Sequence, residues 1–96
     1  MIVWVLYDIK KDKARNKIAK ACKQAGLYRV QYSCFLGALN RNVKDELTLI
    51  IEDLIDEKTD KVYLFNMSKD ELKTCAMLGQ AFDQKLVTDE IKALFF

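Results

Sequence analysis

The 96-residue sequence has no histidine, no proline and only three glycines. Without histidine it lacks the side chain that most often serves as a general base near neutral pH and completes mixed zinc sites. Its three cysteines, Cys22, Cys34 and Cys75, are odd in number, widely spaced and set in apolar surroundings. That pattern argues against a disulfide framework and predicts buried, reduced thiols of a cytoplasmic protein. The longest early apolar run ends at Asp8, far short of the roughly 20 residues needed for a membrane helix. No basic leader or small-residue cleavage pattern follows Met1-Ile2-Val3-Trp4, so neither export nor a membrane association is expected. A glycine-rich phosphate loop, a zinc cluster and a nucleophile elbow are also missing.

What is present favours regular structure. The apolar share of 51% is ample for one modest core, and residues 1–96 are expected to form a single domain, with residues 68–96 as a tail. The formal charge of +2 hides an uneven distribution: residues 1–48 carry ten basic and four acidic groups, and residues 49–96 carry six basic and ten acidic ones. Such a split can set a positive surface on one side of a domain and draw phosphate to it.

Residues 2–7, Ile-Val-Trp-Val-Leu-Tyr, are apolar on both alternating faces, which predicts a central strand covered on both sides, or by helices on one side and a partner on the other. Asp12 is placed to cap a following helix whose Ala14, Ile18, Ala21, Cys22 and Ala25 share a face, with Gly26 as a left-handed terminator. Leu27 to Leu39 is rich in aromatic and β-branched residues and suits one bent strand or two short ones, although no Asn-Gly or Asp-Gly signal marks a reversal near Ser33. Asn42 resembles the cap of a second helix carrying Leu47, Ile50, Ile51, Leu54 and Ile55. Val62 to Met67 predicts another strand, Ser68 and Glu71 have the spacing of a capping box for a brief turn, and Thr74 to Leu78 can form a strand. Beyond Gly79, Thr88 to Phe96 reads as a short helix capped by Thr88 or as a last extended piece.

The order strand, helix, strand, strand, helix, strand predicts an α+β, ferredoxin-like βαββαβ sandwich with an additional C-terminal strand. Trp4, Leu6, Tyr63 and Phe65 are too large and apolar to stay wet, so a second sheet is expected over the open face, most simply that of a second copy.

Asp8 is the leading candidate for chemistry. A carboxylate at the end of a central strand is rigidly held yet meets solvent, which suits a hard cation such as Mg²⁺ that keeps several waters. One carboxylate is too few, but a two-fold axis beside Asp8 would pair it with its counterpart around a shared ion. An ordinary strand terminator explains Asp8 as well. Lys10, Lys11, Lys13, Lys17 and Lys20, with Arg15 and Arg29, form a possible phosphate-facing strip, and a solvated helix face explains the lysines equally. Tyr28, Tyr32 and Phe35 suit stacking on unpaired bases, although alternation in a strand favours core or dimer packing. Any hydrolysis would lean on a metal-bound water.

Three segments then combine: Val5-Leu6-Tyr7-Asp8-Ile9, Arg15-Asn16-Lys17, and Gly26-Leu27-Tyr28-Arg29-Val30-Gln31-Tyr32-Ser33-Cys34-Phe35-Leu36-Gly37. Together they resemble the small CRISPR-associated endoribonuclease family, partner of the integrase in spacer acquisition. The resemblance is dense over residues 1–39, follows the element order to about residue 67 and loosens in the tail. It implies a homodimer with facing sheets, a tail strand near Thr74–Leu78 that crosses to the partner, and Asp8 as the catalytic residue sharing Mg²⁺ at the axis. It also implies a nucleic-acid cleft that includes Tyr7, Arg15, Arg29, Ser33 and Phe35, to which the basic strip adds Lys11, Lys13 and Lys17. The implied function is CRISPR adaptation: support of spacer-DNA integration beside a CRISPR integrase, on double-stranded DNA or single-stranded RNA, with a metal-dependent endonuclease as an accompanying activity. A ferredoxin-like regulator that binds a small molecule is the competing reading.

Overall fold

The computed structural model describes residues 1–79. Ile2–Asp8 forms strand β1, Asp12–Ala25 helix α1, Tyr28–Gln31 strand β2, Cys34–Ala38 strand β3, Arg41–Leu54 helix α2, Lys61–Met67 strand β4 and Lys69–Thr74 helix α3. The four strands lie in the order β2-β3-β1-β4, every neighbouring pair antiparallel. This is the expected ferredoxin-like βαββαβ arrangement.

β1 is central because both of its faces are apolar. Val3, Val5 and Tyr7 enter the core built with α1 and α2, against Ile18, Cys22, Phe35, Leu47 and Ile51. Ile2 and Trp4 join a second cluster on the outer face. The ladder with β4 runs from Ile2 opposite Met67 to Asp8 opposite Lys61, so the last paired residue of β1 is Asp8.

Local chemistry explains most element boundaries. Gly26 takes a left-handed φ of 101°, and its amide reaches the Lys23 carbonyl at 3.0 Å while that of Leu27 reaches Cys22 at 3.0 Å. The N-cap of α1 is Lys11, with no side-chain cap, rather than Asp12. Asp12 is already helical, and its carboxylate holds the first turn by pairing with Arg15 at 2.7 Å. The cap of α2 is Asn40 rather than Asn42: Asn40 is extended and accepts the Val43 amide at 2.9 Å, starting the helix directly after buried Leu39.

Residues 27–39 resolve into two strands joined across Tyr32 and Ser33, with Gln31 opposite Cys34. The reversal uses Ser33 at φ 63°, a conformation that costs a side-chain-bearing residue about 1 kcal/mol. An accompanying irregularity lies between Arg29 and Gln31.

Ser68 and Glu71 form the full capping box, but it opens a helix of six residues instead of a brief turn. Leu72 of that helix is buried against Ile2 and Leu36, with Trp4, Met67, Cys75 and Met77 around them. Part of the outer face is thus covered by the chain's own α3, while Tyr63 and Phe65 remain 62% and 42% exposed. The strand expected at Thr74–Leu78 is not formed in the single chain: Thr74 closes α3 and Cys75–Leu78 carry no strand pairing. Leu72 explains the difference, since its burial turns the chain over the sheet face instead of along an edge. The expected element at Thr88–Phe96 lies outside the described residues. Cys22 and Cys34 are buried free thiols, Cys75 is half-buried, and burial pushes the Cys22 thiol up to about 12. Among the described residues, no helix is long and apolar enough to cross a membrane.

The turn between α2 and β4 is built on Asp60. Its carboxylate accepts the Asp56 amide at 2.8 Å and, across the gap between elements, the Lys10 amide at 3.0 Å. Those two amides, the Asp56 one first, hold the Asp60 carboxyl below the usual range. A depressed folded pKa means that the stabilisation is complete above the unfolded value, about 3.9, and disappears as pH falls through the folded one.

Two expectations follow from this packing. At Gly37 an added Cβ would stand 2.9 Å from Leu27 Cδ2 and 3.2 Å from Leu27 Cα. Gly37→Ala should therefore destabilise by about 1–3 kcal/mol in urea unfolding. Asp60→Ala should melt below the wild type at pH 7, with the gap closing in thermal scans as the pH is taken below about 4; a gap independent of pH would show that the carboxylate is not its source.

Candidate nucleic-acid interface

The end of β1 gathers the candidate residues around one loop. Asp8 is exposed, and its carboxylate makes no hydrogen bond or ion pair among the described residues. The loop after it is fixed from two sides. Asp60 takes the Lys10 amide, and the Arg15 guanidinium donates from Nη2 to the Ile9 carbonyl at 2.8 Å and to the Lys10 carbonyl at 3.4 Å. Nη1 of Arg15 reaches Asp12 at 2.7 Å and the Tyr32 hydroxyl at 3.3 Å. Arg15 therefore joins three pieces of chain: the β1–α1 loop, the first turn of α1 and the β2–β3 turn. These partners, the Tyr32 hydroxyl foremost, raise its pKa still further, so its charge is permanent.

The other residues picked out from the sequence separate into two groups. Lys11, Lys13 and Lys17 are exposed, and Lys13, Lys17 and Lys20 stand four and three positions apart on the side of α1 away from buried Ile18, Ala19 and Cys22. Tyr7 and Phe35 lie inside the core instead. Their rings stack with centroids 6.4 Å apart, so neither offers a face to a ligand in the single chain. Alternation is the reason, because Tyr7 points to the same side of β1 as Val3 and Val5. Arg29 lies on the exposed side of this pair, its guanidinium carbon 5.2 Å from the Phe35 ring centroid. Burial raises the Tyr7 pKa, and the Arg29 guanidinium beside its hydroxyl pulls the other way. Ser33 is half-buried, and its carbonyl accepts the Tyr7 amide at 3.1 Å, which ties the β2–β3 turn to the end of β1.

Asp60 escaped the sequence reading, with a weak local signal in its four-residue spacing from Asp56 near Lys58-Thr59, a turn composition. Tyr32 was singled out for its ring, with packing favoured over stacking, but its bond to Arg15 had no signal, since it spans 17 residues.

The fit to a cation is partial. Among the described residues no group of three or more carboxylates, thiols or imidazoles is arranged for a metal ion. Asp8 supplies one unengaged hard oxygen ligand, which accords with Mg²⁺ only where waters and a second carboxylate complete the shell. Among the described residues, a groove of about 300 Å³ lies between the helices, lined by Ala21, Gln24, Val43, Leu47 and Ile50 among others, and one of about 360 Å³ on the outer sheet face beside Trp4, Leu6 and Met77. Neither includes Asp8 or the lysines of α1.

Known proteins share this sequence and shape. A curated CRISPR-associated endoribonuclease Cas2 of Desulforudis audaxviator (strain MP104C) is 38% identical over 69 residues, covering 72% of this chain and 65% of that protein. The chain thus spans just under two thirds of that relative's length. A CRISPR-associated endoribonuclease Cas2 2 of Chloroflexus aurantiacus is 37% identical over 79 residues, covering 82% of this chain and 93% of the relative. The crystal structure of Streptococcus pyogenes Cas2 at pH 6.5 matches with a TM-score of 0.71 at 28% identity, over 82% of this chain and all of that one. The family described as CRISPR associated protein Cas2 matches residues 1–75, from the start of β1 to the end of α3. Sequence and strand order agree, and the chain belongs to the CRISPR-associated protein Cas2 family.

Proposed function

We propose that this chain works as a homodimer in CRISPR adaptation, holding double-stranded DNA for an integrase in the cytoplasm, with Mg²⁺-dependent endonuclease activity on RNA or DNA as a secondary property. The observation that carries this reading is the exposed row Lys13, Lys17 and Lys20 on α1, continued by Lys10 and Lys11 in the loop beside Asp8. A row of ammonium groups binds a phosphate backbone without reading its sequence, and released counterions supply the free energy. Arg29, supported by Tyr7 and Phe35 from below, adds a planar donor with its back on a ring. In this role Tyr7 and Phe35 are supports, Ser33 fixes the turn, and Arg15 is primarily a brace for the loop.

Dimerisation is supported by Tyr63 and Phe65, exposed on the outer sheet face next to Trp4, whose ring lies 6.1 Å from that of Phe65 at 10°. An apolar strip on one sheet is self-complementary about a two-fold axis. Asp8 of each protomer would hold the cation, and the cation would supply a more acidic water and screen charge at the phosphate. Asp8 itself needs only to be correctly aimed, which the ladder to Lys61 and the brackets from Arg15 and Asp60 favour. A small-molecule reading would draw on the two grooves described above, which include neither Asp8 nor the lysines of α1.

Two measurements test the proposal. Light scattering at micromolar concentration should give twice the 11.1 kDa chain mass, and charged replacements of Tyr63 and Phe65 should shift it towards a single chain; a monomer at every concentration contradicts the dimer. In a reconstituted spacer-integration assay with the cognate integrase, integration should require this protein and survive Asp8→Ala. It should fall when Lys11, Lys13 and Lys17 are all replaced by alanine, with the salt slope of DNA binding reduced by about 0.9 for each phosphate no longer neutralised. Equal integration without the subunit would refute the adaptation role, and Mg²⁺-dependent cleavage undiminished in Asp8→Ala would refute the catalytic assignment.

A further inference from the structure

The three aromatic residues around the β2–β3 hairpin do not share one environment. Phe35 is fully buried, Tyr28 is 37% exposed, and Tyr32 at the turn is 71% exposed. An exposed tyrosine is ordinary by itself, but this ring is held in place. Its hydroxyl accepts a hydrogen bond from Arg15 Nη1, and Arg15 is anchored at Asp12 and at the Ile9 carbonyl. The turn beneath it is bent at Ser33, with φ 63°, and fastened by the Tyr7 amide to the strand that ends in Asp8. The same guanidinium also reaches the Lys10 carbonyl, so hydrogen bonds join the ring, the basic loop and the end of β1.

We propose that Tyr32 is a nucleobase-stacking residue that receives an unpaired nucleotide of the bound DNA beside the end of β1. The inference rests on the nucleic-acid reading above and deepens it by naming the kind of DNA that is preferred. A base inside a duplex is already stacked on both sides, whereas a base in an overhang or a frayed end has a free π-face. A tyrosine ring whose edge is already fixed by Arg15 loses little freedom on meeting such a face. The Lys10 and Lys11 ammonium groups, carried by the loop that Arg15 grips, are available to the phosphates on either side of the nucleotide.

The test uses the full-length protein and two DNA probes, a blunt duplex and the same duplex extended by a 3′ overhang containing 2-aminopurine. Wild type should bind the overhang probe more tightly than the blunt one and quench the 2-aminopurine emission. Tyr32→Phe, which keeps the ring and removes the hydroxyl, should still quench. Tyr32→Ala should bind the overhang about tenfold more weakly, without quenching, while its blunt-duplex affinity and salt slope stay at the wild-type values. Wild-type quenching and overhang affinity in Tyr32→Ala would overturn the proposal. Equal losses on both probes would also overturn it, because they would make Tyr32 a support of the loop and no more. Should the wild type bind neither probe, the nucleic-acid reading falls as well; binding that ignores Tyr32 removes this inference alone.

Discussion

Burial of β1 on both faces is the constraint on which the remainder of the molecule depends. A strand with Val3, Val5 and Tyr7 on one side and Ile2, Trp4 and Leu6 on the other cannot occupy an edge, so β3 and β4 must flank it. The helices then cover one face, and α3 covers part of the other through Leu72. Because the register with β3 ends at Leu6 and the ladder with β4 ends at Asp8 opposite Lys61, Asp8 lies at a fixed height beside the loops. A carboxylate placed in this way owes its position to the core rather than to contacts of its own.

The loop beyond Asp8 shows how a chain without histidine or proline can stiffen an irregular segment. Arg15 takes its carbonyl oxygens and Asp60 takes an amide, so oppositely charged side chains serve the two polarities of the backbone. Neither group has to be buried for this purpose, and neither depends on the other. The arrangement leaves the lysines of the loop and of α1 outside, where hydration costs them nothing and phosphate can replace water.

The sequence made the element order legible because the signals were long and periodic: the doubly apolar run of β1, the stripe of α2, the αL glycine at position 26. It was less informative where one interaction decided a boundary. Asn40 and Asn42 have the same capping chemistry, and only the extended backbone after buried Leu39 selects the first. Thr74–Leu78 has β-compatible residues, yet a buried Leu72 two positions earlier turns the chain into α3. Of the site, Asp8 and the lysines could be found from position and charge. The core location of Tyr7 and Phe35 followed from strand parity, but which parity faced the helices could not be read until both strands were paired. Asp60 and Tyr32 act through partners 50 and 17 residues away, distances over which a local pattern carries no information.

The close approach of Leu27 to Gly37 links two positions that are ten apart in sequence and belong to opposite arms of one hairpin. Leu27 fills the space that a side chain at 37 would need, and does so at both its Cδ2 and its Cα. Trimming the leucine tip would relieve only the first of these contacts, whereas the second involves the backbone itself. The two positions therefore cannot exchange volume freely during divergence: a larger residue at 37 demands a displaced hairpin arm, and with it a displaced Tyr32 and Arg29, so a change on the silent side of the sheet would be felt at the charged end of the molecule.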